Sequence, residues 1–438
     1  MVLTWQRKKI FIIGLLLLGL FLPITAFAQI GLSGLYNPYA PYVPIPSYPQ
    51  VGPEGLGGIR VGILKFHPNF GVTQGYTDNV FLEYKDEKDS YFAIFSPGLK
   101  MIAPIGRHIL EASYRADIMR YANFGDLLNT IDHTVNTALT LDFAGGLGAK
   151  LAYDYKRSSI PPYYTLDERK YYHGHSVTTN IFYAFANRYK AELNYKHDSM
   201  DFKKDYIWFP QGVPFIQSDS YKKDDVSTIL SYRFLPKTSV LFEFGYYNLD
   251  NVDPSGPSTD SKNYRVWVGL HWKPGAKLAG TLKGGYIARR YDEKAGGHDI
   301  DDFGLHCDLT YDLSLFDHFV LRAYREVWDT YVTTKTSPYY GSNFIHTGFD
   351  LTYRHNFTYK LSSSLRGLYN NDNFTETGVY GAGKERTDNR VGFGASIDYK
   401  IRRWLTCNLS YFYINNDSNF DIEDYRENRF MLFIATSY

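Results

Sequence analysis

From residue 61 onward, apolar and polar residues alternate along the chain in runs that short polar turns separate. In the run that ends at Phe234, apolar side chains occupy every second position, and the run that starts at Ser239 repeats this alternation. A period of two is that of a β-strand, because successive side chains point to opposite faces. Each run is about 11 residues long, which suits a tilted strand crossing a bilayer. The two runs therefore predict a transmembrane β-hairpin.

The same plan recurs through the rest of the chain. Short turns are predicted near residues 104–106, 144–146, 186–188, 235–237, 273–276, 315–317, 356–358 and 400–403. Longer polar loops are predicted at 77–90, 122–131, 158–173, 201–223, 250–261, 292–301, 332–343, 372–386 and 416–424. These connections join about 18 strands, and an even number leaves both termini on the short-turn, periplasmic side. The predicted fold is all-β: a single transmembrane antiparallel up-and-down β-barrel.

The N-terminus differs from the barrel. Residues 1–28 carry Arg7, Lys8 and Lys9, an apolar core, and a small-residue cleavage site that ends at Ala28, which predicts a secretory signal peptide. Residues 29–60 are rich in proline and tyrosine and predict a periplasmic leader, either an extended spacer or a docking or plug segment for a periplasmic partner. The barrel is then predicted at 61–438. No later stretch holds 18 consecutive apolar residues, so no transmembrane helix is expected in the mature chain.

Composition and charge agree with this class. Aromatic residues make up 17% of the chain, yet its mean hydropathy is negative. Outer-membrane barrels combine these properties because their apolar face is spread over alternate residues. The formal net charge of +1 gives no indication of a nucleic-acid partner. Cys307 and Cys407 both fall in the apolar phase of their strands, about five strands apart, and no disulfide is predicted.

Aromatic residues also cluster at the two ends of the predicted strands, where a membrane interface is expected. Near the short turns are Phe143, Phe185, Phe234, Trp272, Phe319, Phe357, Tyr359 and Trp404. Near the long loops are Tyr121, Tyr155, Tyr195, Tyr247, Tyr291, Tyr369 and Tyr413. The last strand ends on Tyr438 and resembles the C-terminal signal read by the barrel assembly machinery, although Thr436 departs from it.

Three stretches carry a resemblance to a known family: RVGILKFHPNFGVTQGYTDNVF at 60–81, FSPGLKM at 95–101 and GRHILEASYRADIMRYANF at 106–124. They resemble the start of the "beta-barrel porin 2" family of outer-membrane barrels, often found with exopolysaccharide export systems. The resemblance implies that polysaccharide is passed or secreted across the outer membrane, alongside a periplasmic polysaccharide export protein. Beyond residue 157 the chain matches this family in pattern only.

Catalytic and metal-binding motifs are missing from the sequence: there is no G-x-S-x-G, H-E-x-x-H, CxxC or P-loop. His173 and His175 form a loop-end pair without a neighbouring carboxylate in sequence, which favours solvated side chains over metal ligands. We therefore predict no enzymatic activity, no cofactor and no metal.

The polar face of the strands is expected to line a lumen, which 18 strands make wide enough for water. The lumenal candidates are Glu111, Arg115, Asp117, Lys150, Asp154, Lys190, Glu192, Arg233, Glu243, Arg265, Trp267, Lys283, Asp308, Arg322, Tyr324, Glu326, Asp350, Arg354, Arg366 and Asp398. They form either an ion-paired hydrated wall or a surface that hydrogen-bonds a passing glycan. The rings of Trp267, Tyr324 and Phe412 either pack in the wall or stack on sugars.

The predicted function is a non-enzymatic conduit in the outer membrane of a Gram-negative bacterium, with polysaccharide export as the main hypothesis. The expected partners are outer-membrane lipid and lipopolysaccharide, the barrel assembly machinery and a periplasmic polysaccharide export protein, with polysaccharide as cargo. One alternative is a general or sugar-selective uptake porin, for which the 201–223 loop with Trp208 is the candidate constriction. Others are a barrel enzyme, or a structural or adhesin-like barrel without an open pore.

Overall fold

The computed structural model describes residues 58–160, 169–203, 206–208, 215–217, 220–252, 260–273, 275, 277–292, 299–329, 343–377 and 384–438. The first strands are β1 (Ile59–Val61), β2 (Leu64–Thr77), β3 (Ser90–Ile105), β4 (His108–Tyr121), β5 (Thr130–Asp142), β6 (Leu147–Ile160), β7 (Lys170–Phe185), β8 (Tyr189–Phe202), β9 (Tyr206–Trp208) and β10 (Phe215–Gln217). They are followed by β11 (Tyr221–Leu235), β12 (Thr238–Asn251), β13 (Ser261–Trp272), β14 (Leu278–Tyr291), β15 (Ile300–Asp312), β16 (Asp317–Asp329), β17 (Asn343–Asn356), β18 (Leu361–Thr377), β19 (Glu385–Arg402), β20 (Leu405–Ser418) and β21 (Tyr425–Ser437).

The helical segments of these residues are short. A four-residue helix α1 (Gly125–Leu128) lies between β4 and β5, and 3-10 turns occur at Ala144–Gly146 and Asp421–Glu423. Among the described residues, no helix has both the length and the apolar character needed to cross a membrane.

A closed antiparallel sheet of 18 strands, β2–β8 and β11–β21, forms the barrel. Each strand pairs with the next barrel strand along the chain, and β21 returns to pair with β2. This confirms the predicted fold class and strand number. The eight short turns and nine long loops also fall where the alternation breaks. In a membrane this closure matters because every backbone N–H and C=O must find its partner within the protein.

The barrel closes where the first and last strands meet. The ladder between β2 and β21 runs from Asn69↔Ser437 to Thr77↔Arg429, and the Tyr438 backbone N–H donates to the Pro68 carbonyl at 3.0 Å. Beyond the end of β21, β1 pairs with β2, with Ile59 opposite Phe66. The ladder thus begins two residues before the predicted barrel start, because residues 59–61 follow the last leader proline and retain their N–H donors. The signal peptide and the rest of the leader lie outside the described residues.

The strands are longer than the predicted arms of about 11 residues. β11 has 15 residues and β12 has 14, and across the barrel the lengths run from 12 to 18. The ladder continues into polar pairs such as Lys222↔Asp250 near the long loops. There both faces of the sheet carry polar residues, so the apolar alternation stops although the backbone pairing does not. The predicted loop boundaries were accordingly too wide.

The two faces of the sheet differ in burial. Leu230 and Phe242 are 48% and 44% exposed on the apolar outer face, whereas Ser227 and Glu243, in the opposite phase, are buried. The antiparallel register carries this phase from strand to strand around the closed sheet. The exposed apolar side chains therefore form the face that lipid covers.

The predicted aromatic girdle needs one correction. Phe185, Phe234 and Tyr369 are exposed on the outer face as expected. Tyr121, Tyr247 and Tyr291 instead fall in the inner phase, as the pairs Phe92↔Tyr121, Asp225↔Tyr247 and Ser261↔Tyr291 place them. Proximity to a loop does not decide which face a tyrosine takes, since that depends on its position within the two-residue period.

We expect Leu230→Arg to lower the free energy of unfolding in lipid by about 2–4 kcal/mol, because it places a charge on the lipid-covered face. Ser231→Arg, one residue along on the inner face, is the matched control and should change stability by less than about 0.5 kcal/mol. Urea unfolding of the barrel in phospholipid vesicles measures both. A larger loss for Ser231→Arg would reverse the assignment of inner and outer faces.

Candidate functional site

The register brings the 20 predicted lumenal residues onto one face of the sheet. Pairs such as Glu243↔Trp267, Asp308↔Arg322 and Arg322↔Asp350 place candidates directly opposite each other on neighbouring strands. The face is that of the buried polar residues, opposite the exposed apolar side chains. The remaining candidates share its phase: Glu111, Arg115, Asp117, Lys150, Asp154, Lys190, Glu192, Arg233, Arg265, Lys283, Tyr324, Glu326, Arg354, Arg366 and Asp398.

One network of four charges spans β11 to β14. The Arg265 guanidinium donates to both carboxylate oxygens of Asp225, at 2.7 and 3.1 Å. Arg265 Nε also lies 3.4 Å from Glu243 Oε1, and Lys283 Nζ donates to Glu243 Oε2 at 2.7 Å. The Glu243 side chain is only 7% exposed. A carboxylate this buried depends on both cations for its charge compensation.

Closer to the short turns, the paired charges are open to solvent. Arg322 Nε and Asp308 Oδ1 are 3.8 Å apart, and both side chains are about half exposed. Lys100 and Glu111 form a closer pair of 2.8 Å and are exposed to a similar degree. This part of the inner wall is therefore hydrated and carries both signs of charge. Each exposed pair contributes little to stability, since water screens it.

A second group of charges, on β18, β19 and the loop between β20 and β21, is buried near the long-loop ends and was not predicted. Arg386 pairs with Asp388 and lies 2.9 Å from Glu423, while Arg390 lies 3.8 Å from Asp372. All five side chains are at most 2% exposed. Several of them fall in segments assigned to loops from the sequence, where charged residues predict solvent exposure. Only the cross-strand neighbours reveal that they are packed together.

An aromatic cluster adjoins these charges. The His346 ring lies 4.1 Å from the Trp328 ring and 4.9 Å from that of Tyr324, and His346 is hydrogen-bonded to Asp372. Phe344 packs against Phe374 at 4.9 Å, and the Arg386 guanidinium lies 4.8 Å from the Phe374 ring centre. Aromatic rings and guanidinium groups thus cover the inner wall near the long loops, in contrast to the hydrated part near the short turns.

Inner-face aromatic rings pack against glycines of nearby strands. A Cβ at Gly304 would come within 2.4 Å of the Trp267 ring, and one at Gly348 within 2.3 Å of the Tyr324 ring. Trp267 and Phe412 are only 3% and 5% exposed. These two rings pack in the wall, the first of the two roles predicted for them. Glycines at inner positions opposite an aromatic residue were the sequence signal for this packing.

A half-buried acid, Asp424, lies in the loop between β20 and β21. Burial raises the pKa of the Asp424 carboxyl above its ordinary value, and the Asp417 and Asp421 carboxylates raise it further. The Ser418 backbone N–H donates to Asp424 Oδ1 at 2.7 Å and opposes the rise. The loop thus carries concentrated negative charge beside the buried Glu423.

A closed barrel with an apolar outer face and a charged, partly hydrated inner face defines an outer-membrane β-barrel of the porin class. A family model described as "Putative beta-barrel porin 2" matches residues 52–438, and the chain belongs to this family. The resemblance noted for residues 60–157 is confirmed and extends over the whole barrel. Its association with polysaccharide export is not supported.

Solved structures match most of this chain at low sequence identity. The outer membrane protein OpdK of Pseudomonas aeruginosa, crystallised with vanillate, is 12% identical, with a TM-score of 0.46 over 85% of this chain and 99% of that one. OccAB4 of Acinetobacter baumannii is 13% identical, with a TM-score of 0.44 over 85% of this chain and 98% of that one. The comparison with curated proteins finds no match.

Glu243→Gln should lower the free energy of unfolding by about 3 kcal/mol, because it leaves the Lys283 ammonium and the Arg265 guanidinium with less compensation in a buried site. Asp308→Asn, which removes a half-exposed acid, is the matched control and should cost less than about 1 kcal/mol. Equilibrium unfolding in lipid vesicles distinguishes the two variants. Equal losses of stability would contradict the conclusion that Glu243 needs charge compensation more than the half-exposed Asp308 does.

Proposed function

We propose that this barrel is a passive outer-membrane channel for the uptake of small hydrophilic solutes. The observation that carries the proposal is the hydrated inner wall around Arg322 and Asp308, whose half-exposed charges of both signs suit water and polar solutes. Membership of a porin family supports a non-enzymatic channel.

The inner wall near the long loops favours small solutes over a polymer as the transported substrate. Near the long loops, the inner face of β16 to β21 is covered by the buried Arg386 and Arg390 groups and by the aromatic cluster around His346. A polysaccharide would need a continuous open surface along the barrel axis. The inner wall near the long loops presents packed side chains instead. Export, the main hypothesis from the sequence, is thus less well supported than uptake.

We also propose an orientation for the channel in the membrane and two segments of the chain that regulate passage through it. The long loops face the exterior and both termini the periplasm, as is usual for outer-membrane barrels. The leader, residues 29–60, is a proposed plug or docking segment, and most of it lies outside the described residues. Parts of the constriction predicted in the 201–223 loop also lie outside them, and strands β9 and β10 pair within that loop.

Orientation is tested by labelling single cysteines on intact cells with an impermeant maleimide. In a background of Cys307→Ala and Cys407→Ala, Lys85→Cys in a long loop should react, and Gly145→Cys in a short turn should not. Membrane permeabilisation should then expose Gly145→Cys, which controls for its reactivity. Labelling of Gly145→Cys alone on intact cells would mean that the barrel is inserted the other way round.

Solute passage is tested by swelling of liposomes that contain the full-length barrel. Monosaccharides should enter, whereas a dextran of several kilodaltons should not, because side chains are densely packed on the inner wall near the long loops. A second protein that lacks residues 32–56 should show a higher single-channel conductance in a planar bilayer if the leader plugs the lumen. Free entry of dextran would favour the export hypothesis, and a barrel that stays closed without the leader would contradict an open channel.

A further inference from the structure

Three tyrosine–histidine pairs lie on the outer face between the middle and the long-loop ends of β4 to β7. In each pair the histidine Nδ1 lies within hydrogen-bond distance of a tyrosine hydroxyl on the neighbouring strand. The pairs are Tyr114–His133 at 2.9 Å, Tyr153–His175 at 2.9 Å and Tyr155–His173 at 2.8 Å. The hydroxyl orients each ring through Nδ1. When the imidazole is protonated, Nδ1–H donates to the tyrosine and Nε2–H remains for another acceptor.

Cations flank the pair at His173. Arg157 lies opposite His173 on β6, and Lys203 continues the ladder past the end of β8, its N–H donating to the Tyr171 carbonyl at 3.0 Å. Both side chains are exposed. Asp201, opposite His173 on β8, is the acid on this face. We call Arg157, His173, His175 and Lys203 the basic patch.

Several other outer-face cations at this end of the barrel are paired with acids, whereas Arg120 donates to the backbone carbonyls of Met119 and Thr130. Arg290 lies 2.6 Å from Asp301, Lys262 lies 4.0 Å from Asp292, and Arg426 lies 3.0 Å from Glu87. Within the described ranges, neither Arg157 nor Lys203 has a carboxylate within 4.0 Å. The basic patch therefore differs from these ion pairs, since it brings two exposed cations without a paired carboxylate close to His173.

Position along the strand indicates what the patch faces. On β7 the outer face carries Ile181 and Val177, which are 43% and 40% exposed, and then His175 and His173 toward the loop. The order runs from apolar side chains to imidazoles to loop. In a membrane the headgroup phosphates lie at this level, directly beyond the hydrocarbon.

We propose that the basic patch binds a phosphate group of a lipopolysaccharide molecule in the outer leaflet. The inference rests on the orientation given under the proposed function, since it needs the long loops on the lipopolysaccharide side. The guanidinium of Arg157 and the ammonium of Lys203 supply charge-assisted donors, the chemistry that recognises phosphate. The His173 imidazole adds a neutral donor, because its Nδ1 accepts from the Tyr155 hydroxyl and its Nε2–H remains available. The apolar strand surface below them contacts the acyl chains of the same lipid.

The test measures the affinity of the full-length barrel in detergent for purified lipopolysaccharide. The triple variant Arg157→Gln/His173→Gln/Lys203→Gln should bind about tenfold more weakly than the wild type, because three phosphate donors are lost. The matched control, Lys262→Gln/Arg290→Gln/Arg426→Gln, also removes three outer-face charges, but ones already paired with acids, and should bind within about twofold. Retained heat-modifiable migration verifies that each variant is folded. Tyr155→Phe, which frees the His173 ring, provides a milder second variant with an intermediate loss.

Four outcomes would overturn the proposal. Equal losses in the two triple variants would mean that total charge, rather than the patch, determines binding. Equal affinity for dephosphorylated lipopolysaccharide would exclude a phosphate contact, and full competition by millimolar inorganic phosphate would indicate a free anion rather than a lipid. If vesicles of phosphatidylglycerol bind as tightly, with the same dependence on the patch, the lipopolysaccharide assignment is wrong. Channel conductance should be unchanged in every variant, so failure here is distinguishable from failure of the proposed uptake function.

Discussion

The constraint on which the whole structure depends is that the backbone in a membrane must satisfy its own hydrogen bonds. A sheet meets this demand only when it has no free edge, and here the ladder of β2 with β21 removes the edge. Individual residues complete the hydrogen bonding at the junction of β2 with β21. Pro68 has no N–H to donate, but its carbonyl accepts from Tyr438, and His67 Nδ1 lies 3.1 Å from the Tyr438 carbonyl oxygen. The short strand β1 then covers the part of β2 that β21 does not reach.

Closure of the barrel also determines which side chains face lipid and which face the lumen. Once the register of one seam is set, the two-residue period assigns every side chain around the barrel to lipid or lumen. Apolar residues on the outer face need no partners. Charged residues on the inner face find them across strands, as Asp225, Glu243, Arg265 and Lys283 do. The wall thus carries many charges without a strong field of one sign, which suits a channel for neutral or weakly charged polar solutes.

The inner wall is not uniform, and the difference follows from packing. Around Arg322 and Asp308 the side chains are hydrated, whereas at Arg386 and Arg390 they are buried against acids and aromatic rings. Aromatic residues that lie over glycines, such as Trp267 over Gly304, keep bulky rings against the wall and out of the lumen. The inner wall is therefore hydrated at one end and densely packed at the other within a single regular sheet.

The sequence by itself determined the fold class, the strand number, the turns and the phase of the inner and outer residues. These follow from local alternation and turn composition, which act within a few neighbouring residues. Strand ends were not determined, because the ladder extends into segments such as Lys222 and Asp250 that are polar on both faces. The burial of Arg386, Asp388 and Glu423 was decided only by the tertiary structure. Their environment is made by side chains from other strands, and the alternation along one strand carries no information about those neighbours.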